Sequence, residues 1–296
     1  MLEWTTPTIG DGEWIRPIVN QSGMMGSDVS FANLFLLREK YNTEISHYKN
    51  FLIRKYHGTG SRDGYTFPIG EGNLEEVLEE IEKDAAKRGE PLRFCLLTCG
   101  QKSRLQAHYG DSLEIAGDLG DSDYLYLQQD LANLSGKKYH KKKNHVSKFK
   151  RTYPDYTFSE MGDSNLEDAL KVQDAWYNEH MQTEDDSQMK EHKAISEALQ
   201  YYKELQLRGG LIYVDGVPVA MTIASAVTDQ VCDIHFEKSI GECALNGGYS
   251  AINQLFAQTL NEFRWINREE DINIEGLRKA KTSYHPKIVL KKYYAV

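Results

Sequence analysis

Three stretches of this 296-residue sequence combine residue types and spacings that could do chemistry. The run His235-Phe236-Glu237-Lys238 places an imidazole, a carboxylate and an ammonium close together. In an extended chain successive side chains alternate faces, so His235 and Glu237 share one side and Lys238 takes the other. Glu237 is then a candidate general base, and His235 and Lys238 are candidate substrate-binding groups. Next, Asn246-Gly247-Gly248-Tyr249 opens a helical pattern that continues to Asn253. Glycines at a strand-to-helix turn free backbone N–H groups at a helix N-terminus, where the dipole favours an anion. Gly247 and Gly248 are therefore candidate phosphate-binding backbone, with Tyr249 and Asn253 beside them. The third stretch runs from Asn267-Arg268-Glu269-Glu270-Asp271 through Arg278 and Lys281 to Tyr284. Arg278 and Lys281, three apart on a helix, could face one anion. Asn267 is a further binding candidate, Glu269 and Asp271 could accept protons or pair with the cations, and the Tyr284 phenol could protonate a leaving group.

Charge adds a fourth feature. The chain has 35 Lys+Arg and 44 Asp+Glu, a net of −9, which on average argues against a polyanionic partner. Yet Lys137–Arg151 carries eight cations and no acid, so the remainder carries −17, which is −9 less the segment's +8. Like charges at i, i+4 repel and gain no ion pairs. A sequence tolerates this more readily when a polyanion or a cleft of carboxylates lies opposite. Lys137, Lys138, Lys141, Lys142, Lys143 and Lys148 are thus candidate anion- or nucleic-acid-binding residues. Tyr139, Val146, Phe149 and Tyr153 form a thin apolar stripe that could pack this segment on the body.

Composition excludes several classes. No stretch approaches the roughly 20 apolar residues of a membrane span, and the N-terminus lacks the basic and apolar regions of a secretory signal. Cys95, Cys99, Cys232 and Cys243 match no zinc-ligand spacing, and reduced thiols in a cytoplasmic protein are expected. His140 and His145, five apart, do not share a helical face, so no metal is expected.

These residues need elements to position them. In the first half, Ser27–Leu37 reads as a helix, Glu44–His47, Phe51–Tyr56 and Tyr65–Ile69 as strands, and Leu74, Val77, Leu78, Ile81 and Ala85 as one helical face ended by Gly89 and Pro91. Leu92–Leu97 and Tyr124–Leu127 read as further strands. In the second half, Asn165–His180 and Gln188–Leu207 are helical, the latter stopped by Gly209-Gly210. Leu211–Val214, Asp215-Gly216 and Val217–Ala226 form a hairpin, because Asp-Gly supplies the positive φ a tight turn requires. Val231–Glu237, a helix from about Gly248 to Phe263, Trp265–Asn267, a short helix Ile274–Thr282 and a strand Lys287–Tyr294 follow.

That order resembles the GNAT acyltransferase fold, in which two neighbouring strands splay apart and the donor enters the gap; the first half offers a rougher version. The expectation is an α+β chain of two GNAT-like domains (acyl-CoA N-acyltransferase type) in tandem, each a mixed, mostly antiparallel sheet with flanking helices. Their expected ranges are 1–123 and 124–296, the second beginning with the basic connecting segment 135–151.

The residues also resemble a family. The basic segment within Tyr124–Lys150, His235–Lys238, Gly248-Tyr249-x-Ala251-Ile252-Asn253 and Gly276-Leu277-Arg278-Lys279-Ala280-Lys281 within Asn267–Pro286 are similar to the phosphatidylglycerol lysyltransferase C-terminal-like proteins. Ser27-Asp28-x-x-Phe31-x-Asn33-Leu34 and Tyr41-Asn42-Thr43 extend the likeness over nearly the whole chain. The resemblance implies a tandem GNAT-like fold, related to the Fem peptidyltransferases, and transfer of an aminoacyl group from aminoacyl-tRNA. Lipid-modifying members carry a membrane region ahead of this domain, which this sequence does not show. Phosphatidylglycerol as acceptor and lysine as the transferred group are therefore not carried over. The function expected is an acyl- or aminoacyltransferase with no tightly bound cofactor, its donor aminoacyl-tRNA, its acceptor a small-molecule or peptide amine or hydroxyl. Acyl-CoA as donor, bound at Gly247-Gly248, is one alternative. A non-catalytic anion- or nucleic-acid-binding module on the same scaffold is another.

Overall fold

The computed structural model describes residues 1–180 and 186–296. The first half contains α1 (Gly12–Ser22), α2 (Phe31–Leu36), β1 (Glu44–Tyr48), β2 (Phe51–His57), β3 (Asp63–Thr66), β4 (Ile69–Gly70), α3 (Leu74–Arg88), β5 (Phe94–Leu97), α4 (Cys99–Tyr109) and β6 (Ile115–Leu127). After α5 (Gln128–Asn133) and α6 (His140–Thr152) come β7 (Thr157–Glu160), α7 (Leu166–His180), α8 (Asp186–Gln200), β8 (Arg208–Val214), β9 (Val217–Thr228) and β10 (Val231–Ser239). The chain closes with α9 (Gly241–Leu245), α10 (Gly248–Thr259), β11 (Trp265–Asn267), α11 (Glu275–Thr282) and β12 (Ile288–Ala295).

Local chemistry sets these elements. In α3, Asn73 caps the N-terminus by accepting from the Glu76 N–H, Glu75 and Glu76 face the positive end of the dipole, and Lys87 and Arg88 face the negative end. Gly89 then takes the left-handed conformation at φ +70° that stops the helix. Val77, Leu78 and Ile81 are fully buried, each side chain contributing about 1.5–3 kcal/mol by leaving water. Asp215 and Gly216, at φ +50° and +77°, turn β8 into β9 as the hairpin signal requires.

Twelve strands among the described residues form one sheet in the order β1-β2-β3-β5-β12-β6-β11-β10-β9-β8-β7, with β4 beside β2. Each half repeats one plan. In the first, β1, β2 and β3 are antiparallel, α3 crosses over, and β5 lies parallel to β3. In the second, β8, β9 and β10 are antiparallel, α10 crosses over, and β11 lies parallel to β10. The last strand of each plan is exchanged. β6, from the first half, pairs with β11 of the second; β12, from the second, pairs with β5 of the first. β6 and β12 pair with each other at the centre, and the strand order reads the same plan outward from that seam. The expected domain boundary at 123/124 falls inside β6.

Several sequence readings change. Ser27–Leu37 is not one helix: a single 3-10 turn spans Ser27–Val29, and Ser30, in an extended conformation, caps a separate α2. The helix expected over 188–207 ends at Gln200. Gly209 and Gly210 do not stop it but lie within β8, where a Cβ would meet Met161 and the Thr222 carbonyl at one position and the Phe158 ring at the other. Tyr124–Leu127 is the end of a 13-residue strand. α1 and β7 have no counterpart in the sequence reading; Pro17 inside α1 and the brevity of β7 hide them. None of the four cysteines is disulfide-bonded, and no helix among the described residues is long and apolar enough to cross a membrane.

Candidate active site

The strands β10 and β11 pair only through Val231–Asp233 against Trp265–Asn267. β10 then runs on to Ser239, while the other chain turns away after Asn267. Asn267 fixes that turn: its side chain donates to the Met25 carbonyl (2.9 Å) and accepts from the Glu269 N–H (2.7 Å). Its role is therefore to shape the gap, with both ends of its amide already engaged.

Arg268 fills the gap. Its Nη2 donates to Glu237 Oε1 (2.9 Å), and Glu237 Oε2 accepts from Asn253 Nδ2 (3.0 Å). Arg268 Nη1 and Asn253 Oδ1 are buried, and neither has a hydrogen-bond partner among the described residues. A buried donor and acceptor left open in this way cost stability unless a ligand satisfies them. The guanidinium lies 4.7 Å from the centre of the Tyr284 ring. Tyr284 is buried, donates to Ser250 Oγ (3.3 Å), and burial raises its pKa, which keeps the phenol protonated. Lys142 reaches the same ring, its Nζ 4.0 Å from the Tyr284 ring centre. Burial and then the nearby Arg268 charge lower the Lys142 pKa to about 8, against a smaller opposing pull from Glu237.

The basic segment is a 3-10 turn, Lys137–Tyr139, that runs into α6, and it is anchored by buried Tyr139, Val146 and Phe149. Lys142 is the lysine that turns inward. Lys137, Lys141 and Lys143 are exposed, Lys138 lies 3.5 Å from Asp130, and Lys148 donates to the Leu245 carbonyl (3.3 Å). Lys141–Lys143 sit in the first turn of α6, where the dipole opposes positive charge. No ion pair among the described residues offsets that opposition.

Other candidates are dispersed. Lys238 faces away from Glu237, its Nζ 3.4 Å from the Trp176 ring centre and 3.0 Å from Glu191, and burial lowers its pKa. Tyr249 joins that outer group by accepting from Trp176 Nε1 (2.8 Å). Arg278 and Lys281 do not converge on one anion. Arg278 forms a bidentate pair with buried Asp271 (2.7 and 2.8 Å), and Lys281 donates to the Arg268 carbonyl, holding the turn after β11. Gly247 takes φ +100° at the start of α10, and a Cβ there would lie 2.4 Å from the His145 carbonyl of α6. That close approach explains the glycine by packing.

A second polar group lies along the seam. His235 Nε2 contacts Ser225 Oγ (2.8 Å), and its Nδ1 lies 3.2 Å from Glu269 Oε1 and 3.3 Å from Asp233 Oδ2. Beyond it, Lys292 of β12 pairs with Asp28, lies 3.6 Å from Asp123, and shares Asp28 with Arg54. All four side chains are buried. Burial works against the Asp28 charge, but Lys292 and Arg54 outweigh it and hold its pKa at about 2. In the first half, the corresponding divergence of β3 and β5 opens a cleft of about 460 Å³ lined by Met24, Met25, Phe67, Thr98, Gln101 and Arg104.

Arg268, the inward role of Lys142 and the seam around Asp233 went unread in the sequence. The signal for Arg268 was its place directly after the strand that must diverge; the others depend on contacts across the sheet.

Comparison with known proteins gives one consistent answer. A protein of unknown function from Bacteroides thetaiotaomicron VPI-5482 is 33% identical over 100% of this chain and 99% of its own, with a TM-score of 0.92. L-PGS from Bacillus licheniformis is 16% identical over 96% of this chain and 91% of its own, with a TM-score of 0.66. FemX is 8% identical over 99% and 96%, with a TM-score of 0.63. The architecture is the tandem GNAT-like fold. No curated protein shows significant sequence similarity to the chain. The family model for the C-terminal part of phosphatidylglycerol lysyltransferase matches residues 20–296. The chain therefore belongs to the phosphatidylglycerol lysyltransferase C-terminal family.

Proposed function

We propose that this protein is an aminoacyl- or acyltransferase whose donor carbonyl enters the gap between β10 and β11. The observation that carries this reading is the buried Arg268 Nη1 with no partner among the described residues, fixed in place by Glu237. An acceptor amine or hydroxyl attacks the donor carbonyl, the carbonyl electron pair moves onto oxygen, and Arg268 stabilises that oxyanion. Collapse of the intermediate expels the donor's alkoxide, which takes a proton from the Tyr284 phenol. Both Glu237 oxygens are engaged, so Glu237 holds Arg268 and Asn253. Lys142, with a pKa of about 8, is the group able to take the acceptor's proton near neutrality. The rate of transfer is expected to rise with pH and level off above about 8, as Lys142 becomes neutral. A pH–rate profile of Lys142→Met that keeps this limb would remove Lys142 from the mechanism.

The donor is assigned as aminoacyl-tRNA. What supports this reading is that Lys141 and Lys143, exposed on α6, neighbour the inward-turned Lys142, where they could meet the phosphates of a tRNA. Acyl-CoA is less favoured, because Gly247 is explained by its packing against the His145 carbonyl and the glycine pair therefore gives no separate sign of a pyrophosphate loop. The acceptor, a small-molecule or peptide amine or hydroxyl, must enter the same gap, beside Lys142 and Arg268, to reach the donor carbonyl.

The test is transfer of labelled amino acid from a mixed aminoacyl-tRNA pool to an acid-stable product, alongside tRNA binding at several salt concentrations. Each phosphate contact contributes about 0.7–0.9 to the slope of log K against log salt. Lys141→Glu with Lys143→Glu is expected to flatten that slope by about 1.4–1.8. An unchanged slope would sink the tRNA assignment, and product formed from acyl-CoA alone would replace it.

A further inference from the structure

The seam leaves two carboxylates without a cation in direct contact. Arg62 pairs with Asp121 and Glu270 (2.8 and 2.7 Å), and Lys292 and Arg54 serve Asp28 and Asp123. Asp233 and Glu269 face His235 instead. Asp233 is 0% exposed, and neither of its oxygens accepts a hydrogen bond among the described residues. A buried carboxylate in that state is costly unless it takes up a proton or a positive charge reaches it.

We propose that Asp233, His235 and Glu269 bind a divalent transition-metal ion, of the Zn²⁺ or Mn²⁺ class, at the root of the β10–β11 gap. One ligand atom from each residue lies within 4.8 Å of the others. The imidazole nitrogen stands 3.2 and 3.3 Å from the two carboxylate oxygens. Two atoms that each sit about 2.0–2.2 Å from one ion at near-tetrahedral angles are separated by about that distance. One nitrogen and two oxygens suit a borderline divalent ion, and the imidazole argues against Mg²⁺ or Ca²⁺. The outer contacts match those of metal ligands as well. The other His235 nitrogen meets Ser225 Oγ, which in turn contacts Ser30 Oγ (3.1 Å), and Asn33 Nδ2 donates to Glu269 Oε1 (3.0 Å). The ion would also neutralise the two carboxylates that the seam's cations leave unpaired. It would tie β10 to the turn that carries Arg268, so its role is to hold the gap's shape.

The test uses the full chain, stripped with chelator, dialysed against Zn²⁺ or Mn²⁺ alone, and measured for metal content and thermal midpoint. One equivalent per chain with a raised midpoint is expected, and Co²⁺ substitution should give a visible absorption band. Asp233→Asn should lose the equivalent, and Ser225→Ala should weaken affinity by about 10–100-fold. A wild-type chain that stays metal-free and gives no Co²⁺ band overturns the proposal, as does an Asp233→Asn chain with unchanged metal content. Because the wild-type Co²⁺ band needs no variant, a poorly folding Asp233→Asn leaves the proposal falsifiable. None of these readouts depends on transfer activity.

Discussion

Arg268→Ala is expected to lower the turnover of group transfer by about 10²–10³-fold, the usual effect of removing one preorganised oxyanion donor. Binding of the donor to α6 should be nearly unchanged, because the exposed lysines lie outside the guanidinium's contacts. The loss should therefore fall on kcat. Two controls separate chemistry from packing. Arg268→Lys keeps a charge opposite Glu237 but cannot present one nitrogen to the carboxylate and another to substrate, so it should fold normally and still lose most activity. Glu237→Gln keeps the shape, retains the hydrogen bond from Arg268 and loses the pair's charge, so a smaller loss is expected. Single-turnover kinetics with preformed aminoacyl-tRNA would measure all three. Full activity in Arg268→Lys would show that Arg268 serves packing alone.

The largest effect on stability is expected at Lys292. Replacement by methionine leaves Asp123 without its nearest cation and Asp28 with Arg54 alone. Removing one partner from a buried charge group costs about 3–5 kcal/mol, which at roughly 2–4 °C per kcal/mol lowers the midpoint by about 10 °C. The acid limb should move too. Asp28 has a folded pKa of about 2, below its ordinary value near 3.9. Its contribution is therefore present above about pH 4 and lost as pH falls from about 4 to about 2. Without Lys292 the folded pKa rises, and acid unfolding should begin at higher pH. Thermal melts between pH 2 and 7 would show both changes, and identical curves for the two proteins would contradict this account of the seam.

Much of the second half was legible in the sequence because its signals are local. The Asp215-Gly216 turn, the apolar stripe of α6 and the Gly-Gly entry to α10 each act within a few residues. Strand order followed, and with it the gap that holds Glu237, Asn253 and Tyr284. What escaped depends on partners far along the chain. Arg268 gains its role from Glu237 across the splay, 31 residues away, and nothing near Lys142 in sequence predicts that it alone among the α6 lysines lies over Tyr284. Lys238 and Arg278 were equally plausible as binding groups until Glu191 and Asp271 claimed them. Spacing places a side chain on a face but does not name what meets it.

The exchange of β6 and β12 governs how the chain can be built. Neither half's sheet can close with its own residues: β5 stays an open edge until β12, far later in the sequence, arrives beside it. On the ribosome the first half must wait with an unpaired strand edge, the condition that invites wrong pairing. Contacts that span nearly the whole sequence also make closure slow. Trimming the final nine residues should therefore do more than fray an end. It should unseat Lys292 from Asp28 and open the amino-terminal half, more than 200 residues upstream. The two halves are separate in plan and inseparable in assembly.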